Sequence, residues 1–438
     1  MPLPSRSHPP RSLLVLLAPA GAAVALGALA ACEGTPMEEK REPSAAVARA
    51  YVDSALSWER QVFYWAPRAD FPAQQAAVRA QGAGLAWTYS PADSLVWRAV
   101  EASIDPWLRN APPTGPDLHS IFFRPDVAPG KVDASPDPRN LPSGAALPGA
   151  AGQPALAYVW LPGFTGKNLA GRADSIQAVI RALDAGAPCG WLLDLRRNLG
   201  GYTDAMVAGI HPIFGDAPAS RTQPGYFGDV DRDNGRALYY VVRGETGLYD
   251  PARDERVPYV KASNPYTLRR PGSPVALLVG PTTASAGEAI TLGFRGGPVP
   301  SRSFGEPTYG LTTGPYGTYL PPDNGYLNIT ATIMFDRTGR LYGGKLQPDE
   351  LVATAPNAFK YNQLTPTPRA DDPVIAAASA WLRQQASCGG TAVADRAPGA
   401  RLSRAAAPSE LPGEVRELPD AARRPRVMAV PESYLRPR

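Results

Sequence analysis

The chain has 438 residues, enough for two or three ordinary domains, and its 44% hydrophobic and 19% charged residues suit a packed globular protein. Its 50 prolines and 42 glycines point to long loops or unstructured ends around an ordered middle. The formal charge is +4, but two arginines in the first 31 residues and nine arginines against six acids from Thr391 onward leave about −1 for residues 32–390. A near-neutral core removes the main support for a nucleic-acid partner.

Taken in chain order, residues 1–31 read as an export signal. Arg6 and Arg11 form a positive start, and Ser12–Ala31 is uncharged and apolar. Such a run is also long enough for a membrane helix, but Pro19, the small residues and the boundary cysteine speak against one. Leu29-Ala30-Ala31-Cys32 resembles the lipobox of bacterial lipoproteins, whose cysteine is lipidated and becomes the mature N-terminus. The resemblance implies a cell-envelope protein anchored to a membrane through Cys32. Glu33 favours the outer membrane and periplasm; plain secretion is the alternative. In an oxidising compartment the two remaining thiols, Cys189 and Cys388, can pair, which their spacing alone does not show. No ligand-spaced Cys or His pair exists, so no metal site is expected.

After a linker at 32–43, residues 44–110 read as a small helical domain. Apolar residues recur at helical spacing from Ser44, a cap, to Trp65. A second helix fits Pro72–Gln81, ended by Gly82. A third opens with Ser90 as cap and Pro91 in the first turn and stops near Ile104, before Pro106. The segment 111–154 carries a histidine motif and a loop-like stretch from Arg124 to Pro154, too short for an extra binding domain. Beyond it the pattern changes. Ala155–Leu161, Gly190–Leu195 and Pro274–Val279 read as buried strands, and Arg172–Ala185 and Ser285–Phe294 as helices. Tyr326–Phe335 alternates like a half-exposed strand, and Asp371–Gln385 is a closing amphipathic helix. This is an α/β domain over 155–386 with a mainly parallel sheet, followed by a Pro-, Arg- and Ala-rich disordered tail at 387–438.

Three segments can carry chemistry. In Pro281-Thr-Thr-Ala-Ser-Ala-Gly-Glu288 a buried strand gives way to a helix, so Ser285 sits where N–H groups are unpaired and negative charge is favoured. Ser285 reads either as a nucleophile, with the Ala286 N–H as oxyanion donor, or as a helix cap. In Asp194-Leu-Arg-Arg-Asn-Leu-Gly200-Gly201 the glycine pair allows close backbone approach; it either completes an oxyanion hole or forms a plain turn, with Asp194 and Arg196 as a structural pair. The third is Asp117-Leu-His119-Ser120. Of three histidines His8 leaves with the signal, so a histidine base is His119 or His211; His211 lies in an apolar stretch and reads rather as structural, and His119 reads equally as base or as structural.

In combination these segments resemble the tail-specific, or carboxyl-terminal-processing, serine peptidases. Asp194–Gly201 is similar to that family's D-L-R-x-N-x-G-G segment, Thr283–Glu288 to its T-A-S-A-x-E turn, Gly305–Gly310 to its G-x-P-T-x-G segment, and Asp336–Asp349 to its closing D-R-x-G…P-D strand. The resemblance covers roughly residues 110–385 and implies a crotonase-like (ClpP/crotonase-type) α/β domain. It also implies Ser285 as nucleophile and oxyanion donors from Ala286, Gly200 and Gly201. Many members use a lysine base just after G-x-P-T-x-G; here that position is Leu311, which cannot take a proton. Asp117–Ser120 resembles instead the Ser–His branch typified by the tricorn core, which implies His119 as base and Ser120 as its supporting hydroxyl. The acid of that branch falls near Gly343, which has no side chain, so Asp336 and Asp349 remain as candidates to orient His119. Each also reads as a turn residue.

The expectation is an exported serine peptidase acting on a peptide or protein without cofactor. The alternatives are a non-catalytic ligand-binding relative of the fold and an esterase or amidase for small molecules. Residues 210–272, rich in Gly, Pro and Tyr, are expected to shape the pocket.

Overall fold

The computed structural model describes residues 42–68, 70–89, 93–109, 117–125, 141–354, 368–369 and 371–390. The expected export signal, Cys32, the Ser90 cap and the tail from 391 lie outside these residues. Among the described residues, no helix is long and apolar enough to cross a membrane.

Three helices come first: α1 (Ala45–Val62), α2 (Phe71–Gly82) and α3 (Ser94–Arg109). The Ser44 hydroxyl caps α1, accepting the Val47 N–H at 3.3 Å. The third helix does not stop at Ile104 but runs through Pro106, which is exposed, so its ring meets no packed neighbour. There follow β1 (Ile121–Phe123), β2 (Ser143–Leu147), β3 (Leu156–Trp160), α4 (Leu169–Asp184), β4 (Trp191–Asp194) and α5 (Thr203–Phe214). A β-rich stretch comes next: β5 (Ala219–Ser220), β6 (Gln223–Pro224), β7 (Phe227–Asp231), β8 (Arg236–Val242), β9 (Glu245–Asp250) and β10 (Glu255–Lys261). The chain then builds β11 (Val275–Val279), α6 (Ala286–Phe294), β12 (Ser301–Gly305), β13 (Thr313–Leu320), β14 (Gly325–Phe335), β15 (Glu350–Leu351) and α7 (Pro373–Arg383).

One sheet has the order β15-β12-β11-β4-β3-β2 and is parallel except for β2, which lies within the stretch expected to be a loop. Every residue of β3, β4 and β11 is buried, as the apolar runs require. Ile176 and Ile180 of α4, Met206 and Ile210 of α5, and Ile290 of α6 cover one face. Val374, Trp381 and Leu382 of α7 cover the other. Parallel strands need both faces covered, and the helices do this.

The second sheet is antiparallel, with order β1-β14-β7-β8-β9-β10 and β13 on the far side of β14. The expectation of one mainly parallel sheet is therefore incomplete. The half-exposed strand expected at Tyr326–Phe335 is buried almost throughout. Its alternation separates two cores rather than core from solvent: Leu327 and Ile329 pack with the helices, Met334 with the parallel-sheet core. The three helices share their cluster with these strand residues and with Phe122 and Leu320, so their apolar faces are closed by the sheet. A disulfide joins Cys189, before β4, to Cys388, after α7, with Cα atoms 5.0 Å apart.

Candidate active site

The parallel sheet carries Ser285. It connects the end of β11 to α6 with φ 50° and ψ −112°, a backbone conformation that an L-residue rarely adopts and that persists only where its surroundings hold it. Those surroundings are specific. The Ala284 N–H donates to the Asn198 carbonyl at 2.8 Å, and the Thr283 hydroxyl donates to the Leu195 carbonyl at 2.9 Å. The Thr282 hydroxyl donates to the Arg196 carbonyl. The serine turn is thus stitched to the Asp194–Gly201 turn at three successive residues.

That second turn has its own anchor. Arg196 is buried between Asp194 (2.7 Å) and Asp372 (2.8 Å), and the Tyr158 hydroxyl donates to Asp194 at 2.7 Å. The sequence-based pairing of Asp194 with Arg196 holds, with Asp372 as a second carboxylate. Gly200 (φ +104°) stands directly against the serine: a Cβ there would come within 2.8 Å of Ser285 Cβ. At Gly201 (φ +106°) a Cβ would strike the Phe164 carbonyl oxygen at 2.0 Å. Both glycines are required by close approach as well as by backbone angle. The Gly200 N–H is held by Asn198 Oδ1 at 2.9 Å. The Ala286 N–H opens α6 and precedes its first intrahelical bond, so it is aimed out of the helix.

Glu288, one turn into α6, is fully buried. Its carboxylate accepts the N–H groups of Ser285 (2.9 Å), Gly310 (3.0 Å) and Leu311 (2.7 Å), and the Thr308 hydroxyl. Burial raises its pKa to about 7 against the lowering effect of these donors. The Ser-x-x-Glu spacing of a capping box was the available signal for this residue.

The antiparallel sheet carries His119, which is half-buried. Its Nδ1 meets the Thr313 hydroxyl of β13 at 2.9 Å. Burial pushes its pKa down to about 4, with Thr313 acting weakly the other way, so the ring is neutral at pH 7. Asp117 fixes the segment rather than the ring: it accepts the N–H groups of His119 (3.1 Å) and Ser120 (3.2 Å), the Thr330 hydroxyl (2.7 Å) and the Ser120 hydroxyl. Ser120 in turn accepts the Thr330 N–H at 3.0 Å.

Neither expected acid reaches His119. Asp336 accepts from Thr338, Arg340 and Tyr342 within its own turn, and Asp349 accepts from the N–H and hydroxyl of Ser303 on β12. Both are spent on local backbone geometry, and the hydroxyl of Thr313 takes the place on the ring. Among the described residues, no hydrogen bond joins His119 to Ser285. They are linked through the segment 308–313, held by Glu288 at its start and middle and meeting His119 at its end. His211 bonds Asp216 at 2.7 Å, away from these residues. Among the described residues, no group of three His, Cys, Asp or Glu could hold a metal ion.

An α/β domain with a serine on a strained strand-to-helix turn, packed against a glycine pair, is the framework of a serine hydrolase. Residues 155–352, a little under half of the chain, match the sequence model of Peptidase family S41. A nisin-resistance protein from Lactococcus lactis subsp. lactis is 28% identical over 183 residues, covering 42% of this chain and 51% of its own length. The chain thus spans about half the length of that curated relative. A lipoprotein from Streptococcus agalactiae has a similar fold, with TM-score 0.50 and 18% identity over 71% of this chain and 93% of its own. The photosystem II D1 C-terminal processing protease matches at TM-score 0.42 and 15% identity, over 70% of this chain and 93% of its own.

Proposed function

We propose that this chain is an exported serine peptidase in which Ser285 attacks an amide carbonyl and His119 takes its proton. The single observation that carries the reading is the strained Ser285 turn with Gly200 pressed against it, which sets the serine at the N-terminus of α6 beside the Ala286 N–H. The developing oxyanion is received by the Ala286 N–H beside the Gly200–Gly201 turn, whose close approach the missing Cβ atoms allow; the Gly200 N–H, expected as a second donor, is itself held by Asn198 Oδ1. His119, neutral at pH 7, has an Nε2 with no hydrogen-bond partner among the described residues and is available to accept the serine proton. Ser120 and Asp117 hold the histidine segment, and Thr313 sets the ring.

The fold is assigned to the crotonase-like class, with the helices at 44–110 as its N-terminal attachment. The substrate is a peptide or protein; the likeness to a nisin-resistance protein supports this class. Anchoring through Cys32 at the cell envelope rests on Leu29–Cys32 and is supported by the likeness to a streptococcal lipoprotein.

A fluorophosphonate probe on residues 33–438 tests the mechanism. Labelling is expected in the wild type and in His211→Ala, and its loss in Ser285→Ala and His119→Ala, with turnover falling at least about a thousandfold. The lack of a carboxylate on the His119 ring favours one rival, a non-catalytic carrier. Absent labelling in folded wild type would establish that rival.

A further inference from the structure

Two carboxylates outside the proposed catalytic groups each keep one oxygen shielded from water with no cation beside it among the described residues. Asp204 lies in the first turn of α5, four residues after Gly200, and Asp229 lies on β7. Each keeps a fully buried Oδ1 with no hydrogen-bond partner, and Asp229 as a residue is only 6% exposed. Among the described residues no ion pair reaches either. Around them stand four phenols. Tyr239 donates to Asp229 Oδ2 at 2.8 Å, and the fully buried Tyr226 hydroxyl has no hydrogen-bond partner among the described residues. Tyr259 and Tyr316 feel the charge of Asp229 and are half-buried, so the cluster reaches the surface through them. Burial lifts Asp204 to about 7 and Asp229 to about 6, against ordinary values near 4, because nothing positive is there to hold the charges.

The position of this cluster matters as much as its composition. On one side Asp204 follows the glycine turn that touches Ser285. On the other, Asp229 Oδ2 lies 3.5 Å from where a Cβ of Gly314 would be, and Gly314 follows Thr313, the partner of His119. The cluster therefore neighbours the partner of His119 on one side and follows the glycine turn at Ser285 on the other, where a side chain next to a cut bond would be received.

We propose that Asp204, Asp229 and the four tyrosines form a subsite for a cationic side chain, arginine or lysine, of the peptide substrate. Carboxylates supply the charge, the unpartnered Tyr226 hydroxyl supplies an acceptor, and aromatic walls suit a flat guanidinium. The place of the subsite in a reaction rests on the peptidase reading; the existence of the site does not.

The test therefore measures binding without turnover. Full-length Ser285→Ala protein is titrated by fluorescence anisotropy with two labelled pentapeptides of alanine, one with a central arginine and one with its neutral isostere citrulline. The arginine peptide is expected to bind about tenfold tighter, with the advantage falling to within about twofold in Asp229→Asn and in Asp204→Asn. Melting temperatures of the variants check that the fold is kept. Equal binding of the two peptides, binding of neither, or an advantage that survives both substitutions overturns the proposal. Fluorophosphonate labelling of wild type, run alongside, separates the two readings. A labelled protein without arginine preference keeps the peptidase and loses the subsite. An unlabelled protein with arginine preference keeps the subsite and loses the peptidase.

Discussion

The two sheets hold their halves of the site by different means. Around Ser285 the parallel sheet uses buried charge: Arg196 between Asp194 and Asp372, and Glu288 beneath the turn. Around His119 the antiparallel sheet uses one buried carboxylate, Asp117, held by hydroxyls and backbone amides and by no cation among the described residues, together with Thr313 on the ring and Asn328, whose side chain donates to the His119 carbonyl at 3.1 Å. Charge fixes a strained backbone firmly but at high desolvation cost. Hydroxyls position an imidazole while leaving its charge free to change. The proposed nucleophile is thereby held in place, and the proposed base remains able to take a proton.

If that contrast is right, the charged half should break hardest. Arg196→Met leaves two buried carboxylates unpaired and is expected to cost about 3–5 kcal/mol, read as a drop in denaturation midpoint. Glu288→Gln tests the same half through pH. An acid whose pKa is raised by folding binds its proton more tightly in the native state, so stability falls as pH rises from about 4.5 to about 7. The variant should lose one proton's share of that decline, about 3 kcal/mol across the window, and denaturation at several pH values measures it. Gly200→Ala drives a Cβ into Ser285 and imposes a strained φ; a loss of about 1–3 kcal/mol and of probe labelling is expected. The half built on hydroxyls should yield least. Thr313→Val removes the hydroxyl on His119 and is expected to slow labelling about tenfold with little change in stability. In the wild type the acid limb of the labelling rate should lie near pH 4 rather than near 6.5, because burial lowers the His119 pKa and the ring must be neutral to act. A limb at 6.5 would show that another group controls the reaction.

The same contrast explains what was legible in the sequence. Ser285 and the glycine pair are set by local turns at the ends of apolar strands, and local patterns display such turns. The strands Leu156–Trp160, Trp191–Asp194 and Val275–Val279 were readable for the same reason: buried on both faces, each is a continuous apolar run. The partner of His119 was not readable, because Thr313 lies 194 positions away and a threonine in a strand carries no signal of its own. Asp336 and Asp349 were plausible acids by proximity along the chain, yet each is absorbed by backbone donors beside it. The strands from Phe227 to Lys261 alternate weakly and were missed as a sheet, although that stretch was expected to shape the pocket. Strand pairing is settled by neighbours, which a single chain read in order does not reveal.

The bond between Cys189 and Cys388 spans 199 positions and so ties the approach to β4 to the turn after α7, with Ser285 inside the loop. Seen mechanically, this loop is a load bypass. A force applied between the two ends of the chain passes through the disulfide and never extends the enclosed residues. Roughly 680 Å of contour length is thereby withheld until the bond is reduced. Ser285 and the strand that carries it thus lie off the load path, whereas β3 and Phe164, which precede Cys189, lie on it.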